Sequence, residues 1–367
     1  MRQMGETGDV FDERFNFRLE IPGPDEDLAD LPDEPHAASR NRGRGRRTID
    51  GERLPASLTL TGIPVLRHPT LVFAFEGWND AGEAASTAAR LIVSQRDGDR
   101  FGWVDAEEYF VFTETRPMVR PARKGRRREI IWPTVDFFTC VDPSDAPEAR
   151  DLIVVLGTEP DLRWRQFADI VLDVARRIGV ELVVGLGSLN TDIPHTVPPH
   201  VSKSATNQER HPLLRPHKFL ASKYRGPTGI VGVLTSRFAE RKYPVLSIWG
   251  HAPHYISASP NPVVASRMLR ELVRMVEVSL DLQTIDDAAT RFGDQVREAV
   301  SRDPEAMEYV RDLERQYREG QGDDDEDDDG PAVAGEELPS GAAMVDALEE
   351  FLRRRHRPPS SSGSSST

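Results

Sequence analysis

Leu71-Val72-Phe73-Ala74-Phe75-Glu76-Gly77-Trp78-Asn79-Asp80-Ala81-Gly82-Glu83-Ala84-Ala85 is the stretch whose reading decides the fold. Leu71 to Phe75 is apolar without alternation, which predicts a strand buried on both faces. The run stops at the polar turn Glu76 to Asp80, where Gly77 supplies backbone freedom. Asp80 followed by Glu83 has the spacing of a capping box, so a helix is expected to begin at Asp80. Ala81, Ala84, Ala85, Ala88 and Ile92 then recur at helical spacing, and such small side chains let a helix lie close to a sheet. The unit is strand, loop and helix, with its loop at the carboxyl end of a buried strand, where open α/β sheets usually bind ligands. Trp78 and Asn79 in that loop either meet a ligand or simply cap and pack the turn.

The same alternation continues toward the carboxyl terminus. Asp151 to Leu156 predicts a buried strand, followed by a helix with Phe167, Ile170, Val171, Val174 and Ile178 on one face. Asp161 is placed to cap that helix and Gly179 to end it. Val180 to Leu186 predicts the next strand. A polar stretch with four histidines (His195, His200, His211 and His217) runs on to about residue 224, a loop long enough to cover a site. Gly226-Pro227-Thr228-Gly229 opens a helix over Ile230 to Glu240, a strand follows at Val245 to Trp249, and Asn261-Pro262 starts another helix. Short buried strands alternating with amphipathic helices argue for an α/β fold with a largely parallel sheet covered on both faces. Between Phe101–Asp105 and Glu129–Trp132 lies Arg123-Lys124-Gly125-Arg126-Arg127-Arg128, which reads as the basic tip of a β-hairpin.

Composition divides the rest. Residues 1-55 lack periodicity and pass from acidic to arginine-rich sequence, so they are expected to be a disordered arm. Residues 56-281 form the α/β domain. Residues 282-320 read as a helical hairpin with stripes that include Phe292, Val296, Tyr309, Leu313 and Tyr317. Residues 321-338 are an acidic linker around Asp323 to Asp329, 339-356 a helix with Val345, Leu348, Phe351 and Leu352 on one side, and 357-367 a serine-rich flexible tail. Seven of the net −14 charges sit in the acidic run, so charge gives no strong case for nucleic acid, with the arginine-rich arm the one stretch suited to touch it. The lone Cys140 cannot form an internal disulfide, no apolar run reaches the length of a membrane helix, and the amino terminus lacks a signal-peptide core. A cytoplasmic location is expected.

If the strands are parallel, five loops share one edge of the sheet and form a rim. Its candidate ligand-binding residues are Glu76, Trp78, Asn79, Asp80, Glu159, Asp192, His195, Thr228, His251 and His254. Histidines beside carboxylates suit acid–base work. Against this, the chain has no Gly-x-Gly-x-x-Gly after a strand, no phosphate loop, no Gly-x-Ser-x-Gly elbow and no His-Glu-x-x-His. His251 and His254 are three apart around Pro253, a poor spacing for a metal, and no cofactor, metal or catalytic residue is expected.

Four motifs stand in order: Phe75-Glu76-Gly77-Trp78-Asn79-Asp80-Ala81-Gly82-Glu83-Ala84-Ala85, Pro194-His195-Thr196, Gly226-Pro227-Thr228-Gly229-Ile230-Val231-Gly232-Val233-Leu234 and Trp249-Gly250-His251-Ala252-Pro253-His254-Tyr255. Together they resemble the proteasome assembly chaperone 2 family in its bacterial (actinobacterial) branch, from about Leu58 to Asp281. That resemblance implies a three-layer, phosphorylase-like α/β/α fold and self-association. It also implies a non-enzymatic assembly chaperone or adaptor acting through protein contacts, with the 20S proteasome or another multi-subunit complex as partner. The alternative is a small-ligand-binding protein or a phosphorylase/nucleosidase-like enzyme using the rim. The chain has Val197 where the resemblance implies arginine, and Ser364-Ser365-Ser366-Thr367 where pocket-docking chaperones carry a hydrophobic–tyrosine–any-residue tail. A homo-oligomer is expected, a trimer ahead of a dimer, with the helical hairpin at or near the contact.

Overall fold

The computed structural model describes residues 46–47, 55–120, 128–144, 146–219 and 224–320. In chain order they begin with β1 (Arg46–Arg47), β2 (Leu58–Leu60), β3 (Ile63–Pro64), β4 (Thr70–Glu76) and α1 (Ala84–Gln95). Next come β5 (Asp99–Val104), β6 (Met118–Arg120), β7 (Glu129–Ile131), β8 (Val135–Cys140), β9 (Leu152–Thr158) and α2 (Trp164–Ile178). The chain continues with β10 (Leu182–Thr191), β11 (Val201–Thr206), α3 (Ile230–Glu240), β12 (Val245–Pro253) and α4 (Pro262–Val276). It closes on α5 (Gln283–Arg302) and α6 (Pro304–Gly320). Most of the expected arm, the hairpin tip, the acidic linker, the helix at 339-356 and the tail lie outside the described residues. Within the arm, Arg46–Arg47 pairs antiparallel with Ile63–Pro64, a contact its composition gave no reason to expect.

Eight strands form one mixed, largely parallel sheet in the order β11-β12-β10-β4-β9-β8-β5-β2. The central four, β12, β10, β4 and β9, run parallel, and antiparallel strands extend the sheet on both sides. The apolar run of the deciding stretch sits at the centre, with Val72 paired to Val184 on one side and to Val154 on the other. Its side chains alternate between two cores. Val72 and Ala74 join Ala84, Ala85, Ala88 and Ile92 of α1 and Leu269 and Leu272 of α4. Leu71, Phe73 and Phe75 join Phe167 and Val171 of α2 and Leu234 and Phe238 of α3. Each of these larger apolar side chains contributes about 1.5–3 kcal/mol by leaving water, which explains why no polar alternation survives in β4. Ala84, Ala85, Ala88 and Ile92 of the expected face are fully buried, whereas Ala81, which precedes the helix, is only partly so.

Three local expectations need correction. Helix α1 starts at Ala84, because Gly82 (φ 59°) and Glu83 (φ 50°) hold a left-handed turn that breaks the helix before it. Asp80 still caps, but it accepts from the amides of Ala85 (2.8 Å) and Ser86 (3.1 Å), while the Glu83 carboxylate reaches out to the Ser259 hydroxyl. Asp161 does not cap α2; its carboxylate accepts from the Val111 amide at 2.7 Å and from Thr115. The polar stretch after Thr191 is not all loop, since Val201–Thr206 forms the edge strand β11. An edge strand pairs on one side only, so it needs no apolar run to announce it.

Helices α5 and α6 form the expected hairpin. Their stripe packs on the chain's own domain, with Phe292, Val296, Val310 and Leu313 buried against Tyr255 and Ile256. This removes the reason for placing the hairpin at a subunit contact. Among the described residues no helix is long and apolar enough to cross a membrane.

Candidate functional site

The parallel registers of β4, β9, β10 and β12 bring the expected segments to one edge, but Gly250 to Pro253, with His251, are still part of strand β12, and Gly226 to Gly229 follow no parallel strand. What those loops hold differs across the edge. Beyond β10 and β12, Asp192, His195 and His254 converge with Tyr255; the hairpin packs on Tyr255 and bonds His254, while the Asp192 side chain stays exposed. His254 Nδ1 lies 3.0 Å from the Asp192 carboxylate and 3.2 Å from the Thr191 carbonyl, and Nε2 lies 2.7 Å from the Tyr309 hydroxyl of α6. Burial pulls His254 toward the neutral form, but the Asp192 and Thr191 acceptors outweigh it and raise its pKa. Asp192 is correspondingly lowered, by its bond to His254 first.

His195 is shifted the other way. Its amide donates to the Tyr255 hydroxyl at 2.7 Å, and the same hydroxyl is 2.7 Å from Nδ1. Burial lowers the His195 pKa, against the weaker pull of Glu314. With the imidazole neutral, the hydroxyl gives its proton to Nδ1 and both of its bonding directions are filled. Tyr255 itself is fully buried, and its ring meets that of Tyr309 edge-on at 5.7 Å. Thr196 adds a second tie to α6, donating to Glu314 at 2.6 Å.

The loop after β4 is organised by two carboxylates. Asp80 is buried, accepts from the first amides of α1, and is pushed up to about 6, chiefly by burial. Glu159 bridges three segments: one oxygen accepts from the Ile230 amide at the start of α3 (2.6 Å), the other from the Trp78 amide (3.3 Å). Gly229 is needed there, since a Cβ would lie 2.0 Å from Asn79 Oδ1 and 2.6 Å from Glu159 Oε1. Glu76 pairs with Arg90 of α1. Among the described residues, Asn79 Oδ1 and Asp80 Oδ2 are buried without a hydrogen-bond partner. Trp78 projects outward, 59% exposed.

The candidates therefore fall into separate bonded sets. Thr228 is exposed beside the start of α3, and His251 is buried on another set of contacts, bonded to Ser202 of β11 and packed on the His200 ring. Burial first, and His200 second, push His251 down to about 3, so it is neutral. Tyr255, Tyr309, Glu314 and Ser202 were missing from the sequence candidates. Tyr255 stood beside His254 in a motif, but Tyr309 is 55 positions from its partner and had no local signal. Such an arrangement can fasten segments together and pass a proton between Asp192, His254 and Tyr309. Each histidine at this edge already has a partner in the chain itself.

The PAC2 family profile matches residues 74–300. A PAC2 family protein from Streptomyces avermitilis is 39% identical, with a TM-score of 0.60 over 66% of this chain and 99% of its own. A proteasome-assembly chaperone homologue from Mycobacterium tuberculosis is 34% identical, with a TM-score of 0.58 over 66% and 99%. An archaeal proteasome activator from Pyrococcus furiosus shares the fold at 17% identity, with a TM-score of 0.53 over 66% and 97%. Comparison with curated proteins gives no match.

Proposed function

This chain belongs to the PAC2 family, and from that premise we propose that it is a non-enzymatic assembly chaperone or adaptor working through protein contacts. The observation that carries the reading is the state of the rim. His195 and His254, the groups best suited to acid–base chemistry, are spent on Tyr255, Asp192 and Tyr309 under the chain's own helices. The relative described as a proteasome-assembly chaperone homologue makes the 20S proteasome, or another multi-subunit complex, the partner to try first. In this reading the chain also self-associates, as a trimer ahead of a dimer, and works in the cytoplasm. The small-ligand alternative rests on the orphaned oxygens of Asn79 and Asp80.

The test is reconstitution: purified 20S subunits are mixed with and without the full chain, and particle formation is followed on native gels. A faster or fuller assembly, with the chain bound to an intermediate, is expected. Unchanged assembly together with no co-purifying complex from the native host would sink the reading.

A further inference from the structure

Eight large hydrophobic side chains are exposed among the described residues, and they are not scattered. All but Val65 stand at the carboxyl edge, on the half that the hairpin leaves open. Trp78 follows β4, Leu162 follows β9 and Tyr224 precedes α3. The remaining four are on or beside the β6–β7 arm. Hydrogen bonds tie these segments together: Trp78 and α3 to Glu159, Leu162 to Tyr109, and the base of the arm to Asp161. A packed protein does not hold one edge this apolar by accident of composition, because single exposed hydrophobics are normally dispersed.

The arm itself is a two-stranded antiparallel sheet apart from the main one, with β6 paired to β7 alone. Val119 and Ile130 are opposite each other in register, 45% and 54% exposed. Trp132, two residues after Ile130, shares their face, is 46% exposed, and leans on the Phe112 ring at 4.9 Å. Met118 is the most exposed of all at 68%. Each arm strand leaves its outer edge unpaired among the described residues, which is a template for a further strand. Exposed Arg116 and Arg128 flank the two strands on a chain that is otherwise acidic. Trp, Tyr, Met and Arg are also the residues that protein interfaces favour.

We propose that the β6–β7 arm and the open half of the rim are a docking face for a partner protein's extended segment, apolar at its centre and flanked by carboxylates. The segment adds as a strand beside the arm, lays alternate apolar side chains on Val119, Ile130 and Trp132, and pairs its acidic flanks with the arginines. This rests on the adaptor reading and names the kind of partner and where it sits.

The test uses the full chain and two synthetic ten-residue peptides with the same Val, Ile and Phe content, one flanked by Asp and Glu, the other by Lys and Arg. Fluorescence anisotropy should give at least tenfold tighter binding of the acidic peptide, weakening as salt rises. The doubly exchanged Val119→Asp, Ile130→Asp chain should lose tenfold or more, whereas Val65→Asp, an exposed site away from the rim, should bind normally. Circular dichroism guards against misfolding, and Trp132→Ala, losing affinity with its fold intact, provides a second arm variant. Equal binding of both peptides, no binding, or binding untouched by both arm variants overturns the proposal. So does loss of self-association alone in those variants, which would give the face to a second copy. The adaptor reading fails separately: its reconstitution can fail while the acidic peptide still binds, or succeed with an arm variant that no longer binds it.

Discussion

Over β10 and β12 the carboxyl edge is sealed, and over β4, β9 and the arm it is bare. The sealed half holds two histidines beneath α6, His195 satisfied by Tyr255 and His254 by Tyr309, the Thr191 carbonyl and the carboxylate of Asp192, which stands exposed at the margin. The bare half holds aromatic and aliphatic side chains left in water, with its polar groups turned inward to fasten loops. The strand ends supply similar geometry in both places, so geometry alone does not make an active site. What distinguishes the halves is whether the chain has already supplied the occupant. On the sealed side it has, and on the bare side, among the described residues, it has not.

The contrast is most easily broken by truncating one ring on each side. Tyr255→Ala should cost about 3–5 kcal/mol, the range for removing a large buried ring. Trp78→Ala should stay within about 0.5 kcal/mol of the parent, as exposed substitutions do. Urea unfolding reads both, and similar losses at the two sites would erase the distinction between halves.

A smaller effect is expected at the seam. Tyr309→Phe keeps the ring and removes the hydroxyl that meets His254, so it should cost about 0.5–1.5 kcal/mol. Amide exchange in α6 should quicken while β4 and β10 keep their protection. Exchange that rises uniformly would mean that the hairpin does not open on its own.

The mildest effect is on pH. His254 has a raised pKa in the folded chain, so its contribution is complete below the ordinary value of 6.5 and is lost as pH climbs through the folded pKa. His195 is lowered, so its opposite slope fades as pH passes 6.5 and is gone well above it, where the ring is neutral in both states. Around the pair lie the Asp192 and Glu314 carboxylates, Arg297, and the Tyr255 and Tyr309 hydroxyls. Protection of α6, corrected for intrinsic exchange, should therefore decline as pH rises above 6.5, and His254→Gln should flatten the decline. A slope that survives that substitution would place the titration elsewhere.

These halves were unevenly legible. Helix α3 begins and ends where Gly229 and the pattern after it predict, and the Asn261-Pro262 signal marks α4, whose first amides Asn261 does cap. Such features depend on neighbours in sequence. The start of α1 was misplaced because Asp80 and Glu83 have capping-box spacing, yet Gly82 allows a left-handed turn that carries the carboxylate past it to Ala85 and Ser86. β11 went unread because its partner lies on one side only. The rim was readable as a set of loops, but not as two halves. That split depends on α6 returning to the sheet with Tyr309 and Glu314, and stripe residues do not say which surface they will cover.

Glu159 has a consequence for what the protein ignores. The first amides of a helix, with their partial positive charge, attract free phosphate or any other mobile anion. At α3 that end is met by a carboxylate anchored through β9, which accepts from the Ile230 amide. A tethered group acts at an effective concentration of about millimolar or more, and it cannot be diluted or washed away. Free phosphate must compete with it at every encounter. The loop and the helix thus keep their arrangement while free phosphate or nucleotide stays below that effective concentration, and the bare half stays ready for a protein.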